Sequence, residues 1–383
     1  MNTTETLLGA IPLLWLAAAP INATVPSPSI AEIVESRLSG DRSGACVAVA
    51  RVTDKVEMHY HCSEPKHPRV LDDQSRFEIG SISKALQGVL IARLEEQGVL
   101  DLDEPLADLL ADKHKVPAYD DQVITVKHLL THVSGLKRLP LSLMLGVKMD
   151  NPYAHLDEDK VLSTLADQRL RQAPGTVFEY SNLGAMVLST ALVHRTGRSF
   201  DQLLAEEIFE PLGMEASSLD GPTIPGHDGR GLPVSNWDIP ENLAGVGGVR
   251  ATLPDMVRLI QAMLGQPANG LENAIARSMQ PIRQTPDPAM GYGWLLLDQH
   301  DRRIAWHNGG TGGFASMLAV DRDNGVGVVV LADAAMWAHG GLDDLALHLI
   351  DPAFPLAEPT KTGMMDRLMR GLASLRGNRR PTS

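Results

Sequence analysis

The sequence predicts a mixed α/β (α+β) fold. Three observations carry that expectation. Two short runs of alternating apolar character stand near the start, at about 44–52 and 55–62. A long middle region carries the three- and four-residue spacing of helices, and several short apolar or alternating runs follow from about residue 291. At 383 residues the chain allows two to three domain-sized units, or one fold with a large insertion. It is 44% apolar and 21% charged, enough for an ordinary core. Its net charge of −13 argues against nucleic acid as the main partner.

Taken in order, Leu7 to Ala19 is an uncharged apolar run followed by small residues near Ala23. This pattern suggests an export signal over residues 1–23 and a periplasmic or secreted protein. Residues 1–6 hold no Lys or Arg, so an uncleaved apolar arm or a misplaced start is the alternative. Pro26 to Gly40 reads as a short amphipathic helix, with Ile30, Ile33, Val34 and Leu38 on one face. The two alternating runs, with Thr53-Asp54 between them, read as a hairpin. Cys46 and Cys62, the two cysteines of the chain, then fall opposite or nearly opposite each other. They form either a cross-strand disulfide or two buried thiols, as the compartment decides. His59, His61 and His67 read as surface or turn residues. No Cys/His cluster has metal-ligand spacing, so no structural zinc is expected.

The stretch Phe77-Glu78-Ile79-Gly80-Ser81-Ile82-Ser83-Lys84 organises the rest. It reads as the end of an extended segment, a glycine, then a helix that carries Ile82, Leu86, Val89, Leu90 and Leu94 and stops at Gly98. Ser81 and Lys84, three apart, share one face of the first turn. A hydroxyl at a helix N-terminus with an amine beside it is a way to activate a nucleophile. Leu102 to Leu110 and Val123 to Leu130 read as helical pieces. Ser134-Gly135 then turns the chain, and His132, at that helix end, reads as structural. Residues 137–172 read as helices and a variable loop.

Pro174-Gly175 precedes Tyr180-Ser181-Asn182, which opens an apolar helix about 100 residues after Ser81. Leu203 to Leu212 reads as a further helix, and 217–240 as a long loop. Gly245, Gly247 and Gly248 read as close backbone packing beside a cleft, ahead of a helix capped by Thr252 and Asp255. Strands are expected at 293–297, 303–307, 314–320 and 326–332, with Asp323-Asn324-Gly325 as a hairpin turn. Leu342 to Leu349 fits a terminal helix. Lys361-Thr362-Gly363 has no strand before it. Met364 to Leu375 is basic and amphipathic, suited to an anionic membrane surface or to packing on the protein itself.

The Phe77–Lys84 string resembles the active-site signature of class C β-lactamases and D-Ala-D-Ala peptidases, the penicillin-recognising serine hydrolases with a Ser-x-x-Lys motif. Tyr180-Ser181-Asn182 resembles the second motif of that family, and His307-Asn308-Gly309-Gly310 resembles the third, usually Lys-Thr-Gly or His-Thr-Gly. The resemblance covers about Cys46 to Ile350. It implies a β-lactamase/transpeptidase-like fold: an antiparallel sheet flanked by terminal helices, with a mostly helical subdomain inserted at about 100–240. The hydrolase domain would span 28–355, with a tail at 356–383.

By the same resemblance, Ser81 is the nucleophile that becomes acylated, and Lys84 and Tyr180 transfer protons. Asn182 hydrogen-bonds the substrate amide and holds Lys84. His307, Asn308, Gly309 and Gly310 lie on the edge strand at the substrate, and the Ser81 and Gly310 amides form the oxyanion hole. Cofactors and metals are not needed. The substrate is a small molecule or peptide: a β-lactam or a D-amino-acid peptide of peptidoglycan type. An esterase on the same scaffold, or a penicillin-binding sensor with little turnover, is the alternative. His307 stands where class C β-lactamases have lysine, and Asn308 where threonine is usual, which weakens the case for strong β-lactamase activity. Oligomeric state is not fixed by the sequence.

Overall fold

The computed structural model describes residues 28–357 except 42–43, 64–69, 111–113, 149, 283–287 and 336–340. The export signal expected over 1–23, His67, Lys361-Thr362-Gly363 and the basic helix expected at 364–375 lie outside the described residues.

Helix α1 (Ile30–Leu38) starts on a capping box: the Glu32 amide donates to Ser29 Oγ, and the Ser29 amide donates to the Glu32 carboxylate at 2.7 Å. Strands β1 (Cys46–Val52) and β2 (Val56–Cys62) form the hairpin, with Cys46 directly opposite Cys62. The two cysteines are joined as a disulfide, which decides between the two alternatives the sequence left open.

Among the described residues the main sheet has seven strands, paired antiparallel throughout. Its order is β2, β1, Val326–Ala332, Ala315–Asp321, Arg302–Gly310, Leu295–Gln299 and Ala289–Met290. The first hairpin therefore joins the last long strand, and the helical middle is inserted between them. β1 is buried on both faces. Val47 and Val49 pack with α1 and the terminal helix Asp343–Ile350, whereas Cys46, Ala48 and Ala50 face the core of the helical region. Arg37 and Asp344 tie the two outer helices together at 2.6 Å.

Three expectations need correction. The helices expected at 102–110 and 123–130 shrink to Leu106–Leu109 and Val126–Leu130. Gln122–Val123 instead pairs with Ala118–Tyr119. The helix expected at 203–212 is broken: Phe200–Leu204 runs into a π turn at Ala205–Phe209 before Glu210–Leu212. Pro211 offers no N–H to the carbonyl four residues back and its ring displaces that carbonyl, so the ladder shifts register there. The third-motif strand is not an edge strand. Ala315–Asp321 flanks it along one side, and Leu295–Gln299 pairs with it as far as Trp306. The stretch 307–310 thus has one side released from the ladder, and that side faces the Ser81 helix.

The disulfide closes a loop of 16 residues' separation. Loop-closure entropy sets its worth at about 3 kcal/mol. A Cys46→Ser/Cys62→Ser variant should lose stability of that order in denaturant melts, and reduction of the native chain should reproduce the loss.

Candidate active site

Ser81 is the residue before helix α2 (Ile82–Glu96). It is set there by β3 (Arg76–Glu78), which pairs with Arg250–Thr252, and by the Ile79 amide, which donates to the Val249 carbonyl at 3.1 Å. The turn between strand and helix needs two glycines. Gly80 has φ +51°, and a Cβ on it would lie 2.5 Å from the Gly310 nitrogen. A Cβ on Gly309 would lie 2.0 Å from the Ile79 carbonyl oxygen. The backbones of 79–81 and 309–310 therefore touch directly. Ser316 Oγ donates to that same Ile79 carbonyl at 2.8 Å.

α2 is apolar and buried almost all round, and it carries Lys84 into the interior at 3% exposure. Lys84 Nζ lies 3.0 Å from Ser81 Oγ, donates to the Val246 carbonyl, and stands 5.1 Å from the centre of the Tyr180 ring. Burial, then the Arg138 guanidinium, pushes its pKa well below the ordinary lysine value. The amine end is thus poised to be uncharged, with a lone pair available to the Ser81 hydroxyl.

Tyr180 differs from what a general base would need. It is a hydrogen-bond partner of Ser81, but burial outweighs that bond and Arg138, and its pKa is pushed up to about 12. The phenol keeps its proton, so the free base at the site is Lys84. His307 is also buried. Burial, then Lys84, takes it down to about 3, so the residue that stands where class C β-lactamases have lysine favours the neutral imidazole. Its Nδ1 meets the Asn308 carbonyl at 2.6 Å, and its Nε2 is buried without a partner. The Tyr180 and His307 rings are 6.2 Å apart.

Ser81, Lys84, Tyr180 and His307 therefore converge. Asn182, Asn308, Gly309 and Gly310 line the same cleft of about 520 Å³. The resemblance implied that Asn182 holds Lys84, but its side chain makes no hydrogen bond to that amine, whose nearest acceptor is the Val246 carbonyl. Asn182 Nδ2 donates to the Tyr153 hydroxyl at 3.0 Å and its Oδ1 is buried and unpartnered. Asn308 Nδ2 donates to Asp343 at 2.9 Å. The glycines at 245, 247 and 248 pack closely, with Gly247 against Gly80 and Gly245 against Gln87.

Four further residues shape the cleft. Arg138 is exposed and lies 5.0 Å from the Tyr180 ring centre; among the described residues it has no carboxylate partner. Its backbone carbonyl accepts from the Asn182 and Leu183 amides, which fixes it to the Tyr180 turn. Tyr153 and Trp237 pack at 5.3 Å, and Glu78 accepts the Trp237 amide at 2.9 Å, which anchors the 217–240 loop. His132 is structural, as expected, since its Nδ1 accepts from the Ser181 amide at 3.2 Å. It is also 4.4 Å from the Tyr180 ring and buried in the site. No local sequence signal marks Arg138; what singles it out is the Tyr180 turn packed beside it.

The model of the beta-lactamase family matches residues 30–350. The chain belongs to the beta-lactamase family. It is a serine hydrolase. The D-alanyl-D-alanine-carboxypeptidase/endopeptidase AmpH of Escherichia coli (strain K12) is 28% identical over 295 residues, 71% of this chain and 75% of that protein. Esterase EstB of Burkholderia gladioli is 26% identical over 329 residues, 73% of this chain and 83% of that one. A solved beta-lactamase/D-alanine carboxypeptidase from Yersinia pestis shares the fold at TM-score 0.67 and 23% identity, covering 84% of this chain and 99% of its own. Among the described residues no helix is long and apolar enough to cross a membrane.

The lowered Lys84 pKa has a consequence for stability. Unfolded, the lysine holds its proton up to about 10.5. Folded, it releases the proton at lower pH. The unfolded state binds more protons in that window, so native stability rises with pH through it, by up to about 1.4 kcal/mol per pH unit. The difference between the parent chain and Lys84→Met should therefore shift toward the parent as pH rises from 7 to 9 in denaturant melts. A difference that does not change with pH would show that Lys84 is charged in the folded state.

Proposed function

We propose that the chain hydrolyses amide bonds in D-amino-acid peptides and β-lactams that carry a free carboxylate, through an acyl-enzyme on Ser81. One observation carries this reading: an amine held uncharged by burial, 3.0 Å from a hydroxyl at a helix N-terminus, at the floor of an open cleft. Ser81 Oγ bonds to the substrate carbonyl carbon as its proton passes to Lys84 Nζ. The Ser81 and Gly310 amides receive the developing oxyanion. The C–N bond then breaks, and the proton moves from Lys84, through the Tyr180 phenol, to the leaving nitrogen. Water attacks the ester by the same route in reverse. The unpartnered Asn182 Oδ1 would accept a substrate N–H, and the 307–310 strand would border the substrate.

Arg138 supports the carboxylate. With His307 neutral, it is the cation at the cleft that can grip an anion. The name of the AmpH relative, a D-alanyl-D-alanine carboxypeptidase, points to the same substrate class. The Cys46–Cys62 disulfide supports a periplasmic or secreted location. Ester cleavage is a second reading, favoured by the apolar wall of Phe178, Trp237, Ile239 and Leu295.

A fluorescent penicillin should label the native chain at the Ser81 peptide, seen by mass spectrometry, and should not label Ser81→Ala. Labelling of that variant would remove the mechanism. Stable labelling with no turnover would indicate a sensor. Arg138→Gln should raise KM for a D-Ala-D-Ala peptide about tenfold or more, the worth of a charged hydrogen bond. It should cost p-nitrophenyl acetate cleavage much less, and that only by moving the pH profile upward as Lys84 loses the guanidinium beside it. Equal losses on both substrates would exclude a carboxylate role.

A further inference from the structure

We propose that Glu35, His59 and His61 form a binding site for a divalent transition metal such as zinc, which pins helix α1 to the free edge of the sheet. Their ligand atoms all lie within 4.8 Å of one another. His59 and His61 alternate along β2, so both point to one face. Their partners across the ladder are Val49 and Val47. Those valines pack in the outer layer with α1, so the two imidazoles stand where that layer would otherwise continue with apolar side chains. Glu35 comes to them from α1. The local sequence spacing pointed to no structural zinc, because the third ligand lies on a different element.

The donor chemistry suits a borderline metal. Two imidazoles and one carboxylate are a common zinc set, with a fourth position left for water. A tetrahedral zinc needs donor atoms about 3.3 Å apart, given bonds of about 2.0–2.1 Å. The three donor atoms, within 4.8 Å of one another, would have to draw closer to ligate, and Glu35 is exposed on α1. His59 Nε2 is buried and has no hydrogen-bond partner, a defect that a bound metal removes. The imidazole rings are near-parallel, 6.1 Å apart. The Arg51–Glu57 pair at 3.8 Å sits on the same face further along the hairpin, and leaves this cluster to itself. Among the described residues β2 is the outermost strand of the main sheet, so a metal here would fasten α1 to the face of that strand, near where the described chain begins.

The full chain, stripped with a chelator, should bind one zinc per molecule in calorimetry and melt at a higher temperature with zinc than without. Calcium and magnesium should do neither, since they prefer oxygen ligands. His59→Gln and His61→Gln should each weaken zinc binding about tenfold or more and abolish the melting shift, with Glu35→Gln weaker in effect. Cobalt added to the unmodified chain should give the visible absorption of a tetrahedral site, displaced by zinc, a readout independent of how the variants fold. Absence of that absorption, or zinc affinity unchanged in both histidine variants, would overturn the site.

Discussion

The active site depends on the burial of one amine. Lys84 reaches the interior on a helix that is apolar nearly all round. There its nitrogen meets a hydroxyl, a carbonyl and an aromatic ring. Among the described residues it meets no carboxylate. A charge in such a place is costly, and burial pushes the lysine pKa well below its ordinary value. The rest of the fold secures that placement. Gly80 and Gly309 let two backbones touch so that Ser81 starts the helix beside the amine. The 3-10 turn Glu241–Val246 presents the Val246 carbonyl that holds Nζ in place.

Charge is sorted by depth. The inner groups, Lys84, Tyr180, His132 and His307, are all held toward their neutral forms by burial. The permanent charge of Arg138 stays at the exposed rim, anchored through its own backbone to the Tyr180 turn. On the proposed function, this separation would let one cleft offer a base to the reacting bond and a cation to the substrate's anionic end. It would also account for a histidine in the third motif, with a cation supplied from another element.

Much of this was legible in the sequence. The Ser81 helix, the Tyr180 turn and the four late strands announced themselves through period, caps and turn residues, and the family motifs brought them together. The charge states were not legible, because they depend on burial. The sequence left open which of Lys84 and Tyr180 is the base and what charge His307 carries; burial pushes the phenol up and the imidazole down. The partner of Asn182 was not legible either, because Tyr153, which takes its amide, comes from another segment of the chain. Arg138 and the Glu35–His59–His61 cluster escaped notice for one reason: their meaning comes from neighbours on other elements. The break at Pro211 was written in the sequence and was passed over inside an otherwise periodic stretch.

The protonation state of Lys84 tests the account most directly. Lysines labelled with 13C at Cε report their charge through their chemical shifts, and Lys84→Arg identifies the resonance. The account predicts one lysine that titrates well below 10.5 and disappears in that variant. If every lysine, Lys84 included, titrates at its ordinary value, the amine beside Ser81 is charged at neutral pH and cannot be the base.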